Sequence, residues 1–450
     1  MNQIYFLIYV IITFFISLYL TSKSNSSHKY ITFIISYWIL AHSVLSTEYF
    51  IIDIKSLPFD FQPNRIILIL FLCYLVLIFI QESTHGRDKI VFLRYEQYLY
   101  LYVLFSIVST YFHSRKIVTL KDFIVVNTLM LTFVVIYLVL KRTADRGMIK
   151  AFCKAFLILC SISSIIGILQ FLIDPNIFRL GSHRGAFSVF LRSNGVFHAE
   201  YMQSYYLISG IIITLFMVRS KKLKYFLVTL FFTGIILTFH RMSWITGVIL
   251  ITLYIFKFKK NEMWKMVTVG AIAGSIIFLI SFLNPYDINR VKNSALFRER
   301  LLSNSMTERE NTYDMVLKNI KKGWLIGFGG KRSDMYYYGM LAAGTSKKVA
   351  KGEAGAIHNR FLEIMFFKGI IVFILYCMFF IFVIDYFWLL ARTKNIIFYI
   401  PLFETLKFIL ANMTNSFSLA SDLGLLLAIF LGISVSVNKN NIDLNNAIEY

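Results

Sequence analysis

The sequence predicts an all-α, polytopic integral membrane protein with about 12–13 transmembrane helices and a large, partly helical external loop. Three observations predict it. Hydrophobic residues make up 58% of the 450 and the mean hydropathy is +0.67, as a chain facing lipid requires. Only 16% of residues are charged, against roughly 25% in a soluble domain. Apolar runs near the bilayer-spanning length of roughly 20 residues recur along the chain.

Taken in order, the first run, Ile4 to Leu20, is too long for a signal-peptide core and lacks a small-x-small cleavage pattern, so it reads as a span. The candidate spans are 3–20, 30–46, 65–81, 97–112, 122–140, 151–173, 202–218, 223–239, 242–257, 265–283, 359–390, 396–411 and 418–437. Several are short, so twelve crossings fit as well as thirteen. The run 223–257 is too long for one helix, and His240-Arg241 at its middle divides it into two helices joined by a tight turn. The organisation is then 1–173, N-terminal membrane helices; 174–201, a loop; 202–283, membrane helices; 284–358, the large loop with an amphipathic helix; 359–437, C-terminal membrane helices; and 438–450, a polar cytoplasmic tail. Cys73, Cys153, Cys160 and Cys377 lie in apolar stretches without CxxC spacing and read as small hydrophobes.

Loop charge sets the orientation. The loops at 21–29, 82–96, 141–150, 219–224, 257–265 and 391–395 carry 19 Lys and Arg, and the alternating loops at 46–65, 113–121, 174–201 and 412–417 carry 8. The first set is expected in the cytoplasm. The long segment 284–358 is then external. It holds 13 Lys and Arg against 7 Asp and Glu, and long loops are exempt from the bias. A basic external loop suggests an anionic ligand on that face; a solvated loop is the plainer reading. The net charge of +22 points to membrane lipids rather than nucleic acid, for which no basic–aromatic patch stands out.

Four places could carry chemistry. Arg241 interrupts membrane-grade sequence in Leu237-Thr-Phe-His-Arg-Met-Ser-Trp244. A charge at bilayer depth costs at least about 2.5 kcal/mol and usually faces a protein cavity; a turn arginine reaching headgroups is the other reading. The loop 174–201 offers His183, Arg184, Arg192, Asn194, His198 and Glu200, and paired guanidinium forks match pyrophosphate oxygens. In 306–320, positions 313, 316, 317 and 320 fall on one helical face, with Thr307 and Glu310 as a capping box. The stretch Gly323-Trp-Leu-Ile-Gly-Phe-Gly-Gly330 lacks the GK[ST] of a phosphate loop and reads as a tight turn. Finally, His358 lies where the chain is expected to re-enter the membrane, and a histidine there suits general-base work near neutral pH.

Together these motifs resemble the O-antigen polymerase/ligase superfamily of bacterial cell-surface polysaccharide assembly. Arg192-Ser-Asn-Gly-Val-Phe-His198 resembles the family's Arg-x-x-Gly-x-Phe-x-His stretch. The Arg241 turn resembles its Leu-Thr-x-Ser-Arg turn, with His240 in place of Ser. Arg309, the amphipathic helix and Gly327-Phe-Gly resemble its Arg-helix-Gly-x-Gly segment, and His358-Asn359 with Leu362 and Glu363 its His-Asn-x-x-Leu-Glu motif. The resemblance covers about 190–375.

The resemblance implies a glycosyltransferase in the bacterial cytoplasmic (inner) membrane, with its site facing the periplasm or cell exterior. Its donor is an undecaprenyl-pyrophosphate-linked glycan. Arg192, Arg241 and Arg309 are the candidates for holding the pyrophosphate and His358 for the base, with Asn359 or Glu363 orienting it and His198 supporting. Single displacement would invert the anomeric centre. No cofactor is expected and, since no Asp-rich motif appears, no metal. A flippase and a chain-length regulator are the implied partners. Polymerase and ligase share the motifs, and polymerase is favoured because nothing points to a lipid A-core acceptor. A transporter or flippase is the alternative of another class, with Lys368, Asp385, Glu404 and Lys407 as its intramembrane candidates. Glu404 and Lys407 share a face at i, i+3, which fits a plain ion pair, and no internal repeat appears.

Overall fold

A computed structural model describes residues 2–45, 63–84, 92–117, 120–174, 176–179, 192–258, 313–314, 316–328, 357–419 and 421–440. Twelve long helices lie within them: α1 (Asn2–Lys23), α2 (Lys29–Leu45), α3 (Pro63–Thr84), α4 (Arg94–Ile117), α5 (Leu120–Thr143), α6 (Arg146–Leu172), α7 (Glu200–Met217), α8 (Lys221–Leu237), α9 (Arg241–Phe258), α10 (Arg360–Thr393), α11 (Tyr399–Asn412) and α12 (Asp422–Lys439). They occupy the places of twelve of the thirteen expected spans, and the described residues contain no strand. The span expected at 265–283, the Thr307/Glu310 capping box, Arg309, His183, Arg184 and most of the tail lie outside the described residues. By length and apolarity alone, α1, α6, α9, α10 and α12 are sufficient to cross a bilayer, and α2 is apolar but shorter.

One end of the bundle is level, and packed aromatic rings set it. Tyr399 stacks on Phe216 at 6.2 Å and meets Phe258 edge-on at 4.9 Å, so α7, α9 and α11 finish together. Lys394 Nζ donates to Asn438 at 2.7 Å, and Ser436 Oγ donates to the Ala144 carbonyl at 2.6 Å, which adds α5, α10 and α12. At this end Asp145 caps α6. Partial burial opposes its ionisation, but the N–H groups of Met148 and Ser27 and the hydroxyls of Ser26 and Ser27 outweigh it and hold the carboxyl below its usual range.

The opposite end is not level, because the helices differ in length. At 1.5 Å per residue, α7, α9 and α12 with 18 residues each rise about 27 Å, and α8 with 17 about 25 Å. The 27 residues of α6 reach about 40 Å by the same rise. α6 therefore extends beyond the short helices packed beside it.

α10 departs most from expectation. The sequence suggested one span over 359–390. Gly369, at φ 83 and ψ 175, breaks the helix into arms 360–368 and 370–393. The Phe361 and Tyr376 rings lie 5.7 Å apart, although fifteen residues of straight helix would separate them by about 22 Å. The short arm therefore folds back along the long one. A side chain at Gly369 would meet the Leu325 carbonyl, and one at Gly327 (φ 78) would meet the backbone of Phe367 and Lys368. The turn after Gly323 fills the break: Phe328 N–H donates to the Phe366 carbonyl at 3.0 Å and Ile370 N–H to the Trp324 carbonyl at 2.8 Å.

Candidate functional site

The motif-bearing loops gather at the end of the bundle opposite the level one. Arg192-Ser-Asn-Gly-Val-Phe is a tight turn held by one buried amide. Gln170 Oε1 accepts from the Asn194 and Gly195 N–H groups at 3.0 and 2.9 Å, while its Nε2 donates to the carbonyls of Gly195 and Ile177 at 3.1 and 2.8 Å. Gly195 is at φ 54, and a Cβ there would strike Ser163, so the family-like glycine is required for close packing. Ser193 Oγ donates to Gln203 at 3.0 Å. This seating presents Arg192 and His198 as exposed side chains. Arg192 pairs with Glu200 across 2.9 Å.

The second motif is the α8–α9 turn, as expected. Phe239 has φ 50, uncommon for a residue with a side chain, and Trp244 Nε1 braces the turn by donating to the Ile235 carbonyl at 3.0 Å. His240 is the residue before α9, and its Nδ1 accepts from the Ser243 N–H at 3.3 Å. That is the N-cap position, where a serine hydroxyl accepts in the same way. The histidine thus serves as cap where the family-like turn has Ser. Arg241 follows as the first residue of α9. It is exposed and makes no ion pair among the described residues. A cation added to the positive end of a helix dipole leaves that position electropositive.

The third motif opens the short arm of α10. Asn359 Oδ1 accepts from the N–H groups of Phe361 and Leu362 at 3.0 and 3.1 Å, so Asn359 is the N-cap. Glu363 is paired with Arg360 at 3.1 Å. Both residues expected to orient His358 therefore have other partners. His358 is half-buried, and its carbonyl accepts from the Tyr313 hydroxyl at 3.2 Å. It sits at the foot of the short arm, which rises towards the break at Gly369, rather than at the top of a descending span.

A chain of contacts links the three motifs. Ser193 N–H donates to the Leu237 carbonyl at 3.0 Å, joining the first loop to the second. The His240 ring lies 5.6 Å from that of Tyr205 and 6.3 Å from that of Tyr201. Phe417, between α11 and α12, lies 5.7 Å from each of those tyrosines, and Ser416 Oγ donates to the Ile357 carbonyl. Arg192, Arg241 and His358 are thus brought to one end of the bundle by Tyr201, Tyr205, Ser416 and Phe417, none of which the motifs single out. Polar amides inside apolar spans, such as Gln170 and Gln203, were the available signal. Of the amphipathic face, Val316 packs with Ile357, Phe366 and Phe367, with Tyr313 beside them. Leu317, expected on that face, is exposed, because one short arm covers only a narrow i, i+3 stripe.

Three of the four intramembrane charges have structural partners, and Asp385 is exposed on α10. Lys407 pairs with Glu404 and donates to Ser209, and Lys368 donates to Thr110 and the Ser106 carbonyl. A small void lined by Phe152, Met217, Phe398 and Phe430 lies at the level end, away from the motifs, and its lining is apolar.

Residues 225–377, about a third of the chain, match the family described as O-antigen ligase. No curated protein matches the chain. The matched segment runs from α8 through the Arg241 turn to the broken helix, with His358 inside it and Arg192 outside. It places this region of a multi-pass membrane protein in the O-antigen polymerase/ligase superfamily, whose members are membrane glycosyltransferase-like enzymes.

Proposed function

We propose that the protein polymerises undecaprenyl-pyrophosphate-linked oligosaccharide repeats into a surface polysaccharide, by inverting glycosyl transfer at the outer face of the bacterial cytoplasmic membrane. The observation that carries the reading is the linkage of three family-like motifs at one end of the bundle, two of them within the matched segment. In this mechanism His358 removes the proton of the acceptor sugar hydroxyl as its oxygen attacks the anomeric carbon. The bond to the lipid pyrophosphate breaks, and cations stabilise the charge left on it. Arg241, exposed at a helix N-terminus, is the first of these, and Arg309 is a second. Arg192 is a third: an exposed pair such as Arg192–Glu200 is worth only about 0–1 kcal/mol, so a pyrophosphate can displace the carboxylate. A flippase would deliver the donor and a chain-length regulator would set the product.

The test uses the purified protein in nanodiscs with lipid-linked repeat units. His358→Gln is expected to slow elongation by about 10²–10⁴-fold with an unchanged unfolding temperature, and elongation at the wild-type rate would remove the base assignment. Arg241→Lys and Arg309→Lys are expected to slow turnover, and full rates in both would remove the pyrophosphate clamp. The family description favours a second reading, transfer to a lipid A-core acceptor. Supplying both acceptors separates the two by product.

A further inference from the structure

We infer that segment 316–326 is a lipid-contacting foot: Trp324, Leu325 and Ile326 enter the bilayer interface, with Lys318 and Lys321 beside anionic phospholipid headgroups. Exposure is the first observation. Trp324, Leu325 and Ile326 are 59, 44 and 45% exposed, and Leu317 is 51% exposed. These are four large apolar side chains on one short segment.

The second observation is depth. The tip is bonded to the α10 break, since Ile370 N–H donates to the Trp324 carbonyl. The arm 370–393 has 24 residues, about 36 Å of rise. Its far end carries Arg392 and Lys394, residues of a membrane–water boundary. A hydrocarbon core of about 30 Å then puts the break, and the tip with it, at the opposite interface, where tryptophan is preferred.

The third is backbone satisfaction. Lipid offers no partner to backbone polar groups. Here the Trp324 carbonyl accepts from Ile370, the Ile326 carbonyl from Ser109 Oγ at 3.0 Å, and Gly327 N–H donates to the Gly323 carbonyl at 2.7 Å. These bonds lower the backbone cost of presenting apolar side chains outward. The fourth is charge. Lys318 and Lys321 are exposed on the preceding turns, and the single weak pair of Lys318, to exposed Asp314 at 3.5 Å, leaves it able to meet a phosphate. Cations beside an apolar tip are the composition of an interfacial anchor.

The test needs no turnover. Cys73→Ser and Cys377→Ala remove the accessible thiols, and Leu325→Cys carries a spin label in phosphatidylglycerol/phosphatidylethanolamine vesicles. Collision with dissolved oxygen is expected to exceed collision with a water-soluble nickel chelate several-fold. The same label at Asp314→Cys should show the reverse. Greater access of nickel at 325 would overturn the inference, and so would exclusion of both agents, which would mean that the chain's own loop covers the tip. In the charge arm, Lys318→Glu with Lys321→Glu is expected to raise nickel access at 325 several-fold in these vesicles and not in phosphatidylcholine. An identical change in both lipids would overturn the headgroup contact.

Discussion

Two ion pairs of identical i, i+3 spacing sit in different regions and behave differently. Glu404 and Lys407 lie in the bundle interior, each 1% exposed, and Ser209 of α7 binds both. Arg360 and Glu363 lie on the short arm of α10, 12 and 13% exposed. Among the described residues each pair leaves one carboxylate oxygen without a hydrogen-bond partner, Glu404 Oε1 and Glu363 Oε2. The first pair joins two continuous helices and has no path to solvent. The second stands between a capping asparagine and a glycine break, two residues from His358. The scaffold uses charge to fix helix packing; the short arm carries charge on a segment whose helix is bounded on both sides, by the Asn359 cap and the Gly369 break.

The largest expected effect tests the scaffold half of that contrast. Lys407→Met leaves a buried carboxylate unpaired, and about 3–5 kcal/mol of stability should be lost, read as a fall in the thermal unfolding midpoint in detergent. Glu404→Gln together with Lys407→Met should recover most of it, with turnover per folded molecule near wild type. A double variant as unstable as the single would mean that the pair has another role. Next is the short arm. Gly369→Ala places a Cβ 2.2 Å from the Leu325 carbonyl at a φ of 83, a strain of about 1–3 kcal/mol. Turnover should fall far more than the unfolding midpoint, because the arm bearing His358 shifts while the scaffold holds. Wild-type turnover would show that the fold-back is dispensable.

The smallest effect is at the level end. Asp145→Ala should cost about 1 kcal/mol as a lost cap. The folded carboxyl titrates below its usual range, so its contribution is present above about pH 4 and is lost as pH falls through the folded value. Wild type and variant should therefore converge in acid, and a gap that persists there would assign the loss to packing.

The helices were legible because lipid exposure forces long apolar runs, and Arg241 marked its turn because a charge inside such a run needs a reason. Gly323 to Gly327 was legible as a turn from its glycines. The fold-back was not. Residues 359–390 are apolar almost throughout, and hydropathy does not distinguish a straight helix from one reversed at Gly369, whose conformation depends on a backbone contact with Leu325 more than forty residues earlier. Gln170 was hidden for a related reason: its four hydrogen bonds reach a loop that lies beyond the end of its own span. Asn359 and Glu363 were expected beside His358 in a catalytic arrangement; the cap and the Arg360 pair show that local helix chemistry claimed them first.

The short arm also bears on the order of biogenesis. Nine residues rise only about 14 Å, too little for insertion machinery to treat as a membrane segment, so 370–393 should enter the bilayer alone and leave 360–368 behind as an extension. That extension packs on α4 and the Trp324 turn, both made before it, while Ile357 beside it is held by Ser416, made after it. The candidate site would then be completed only after α11 has been made.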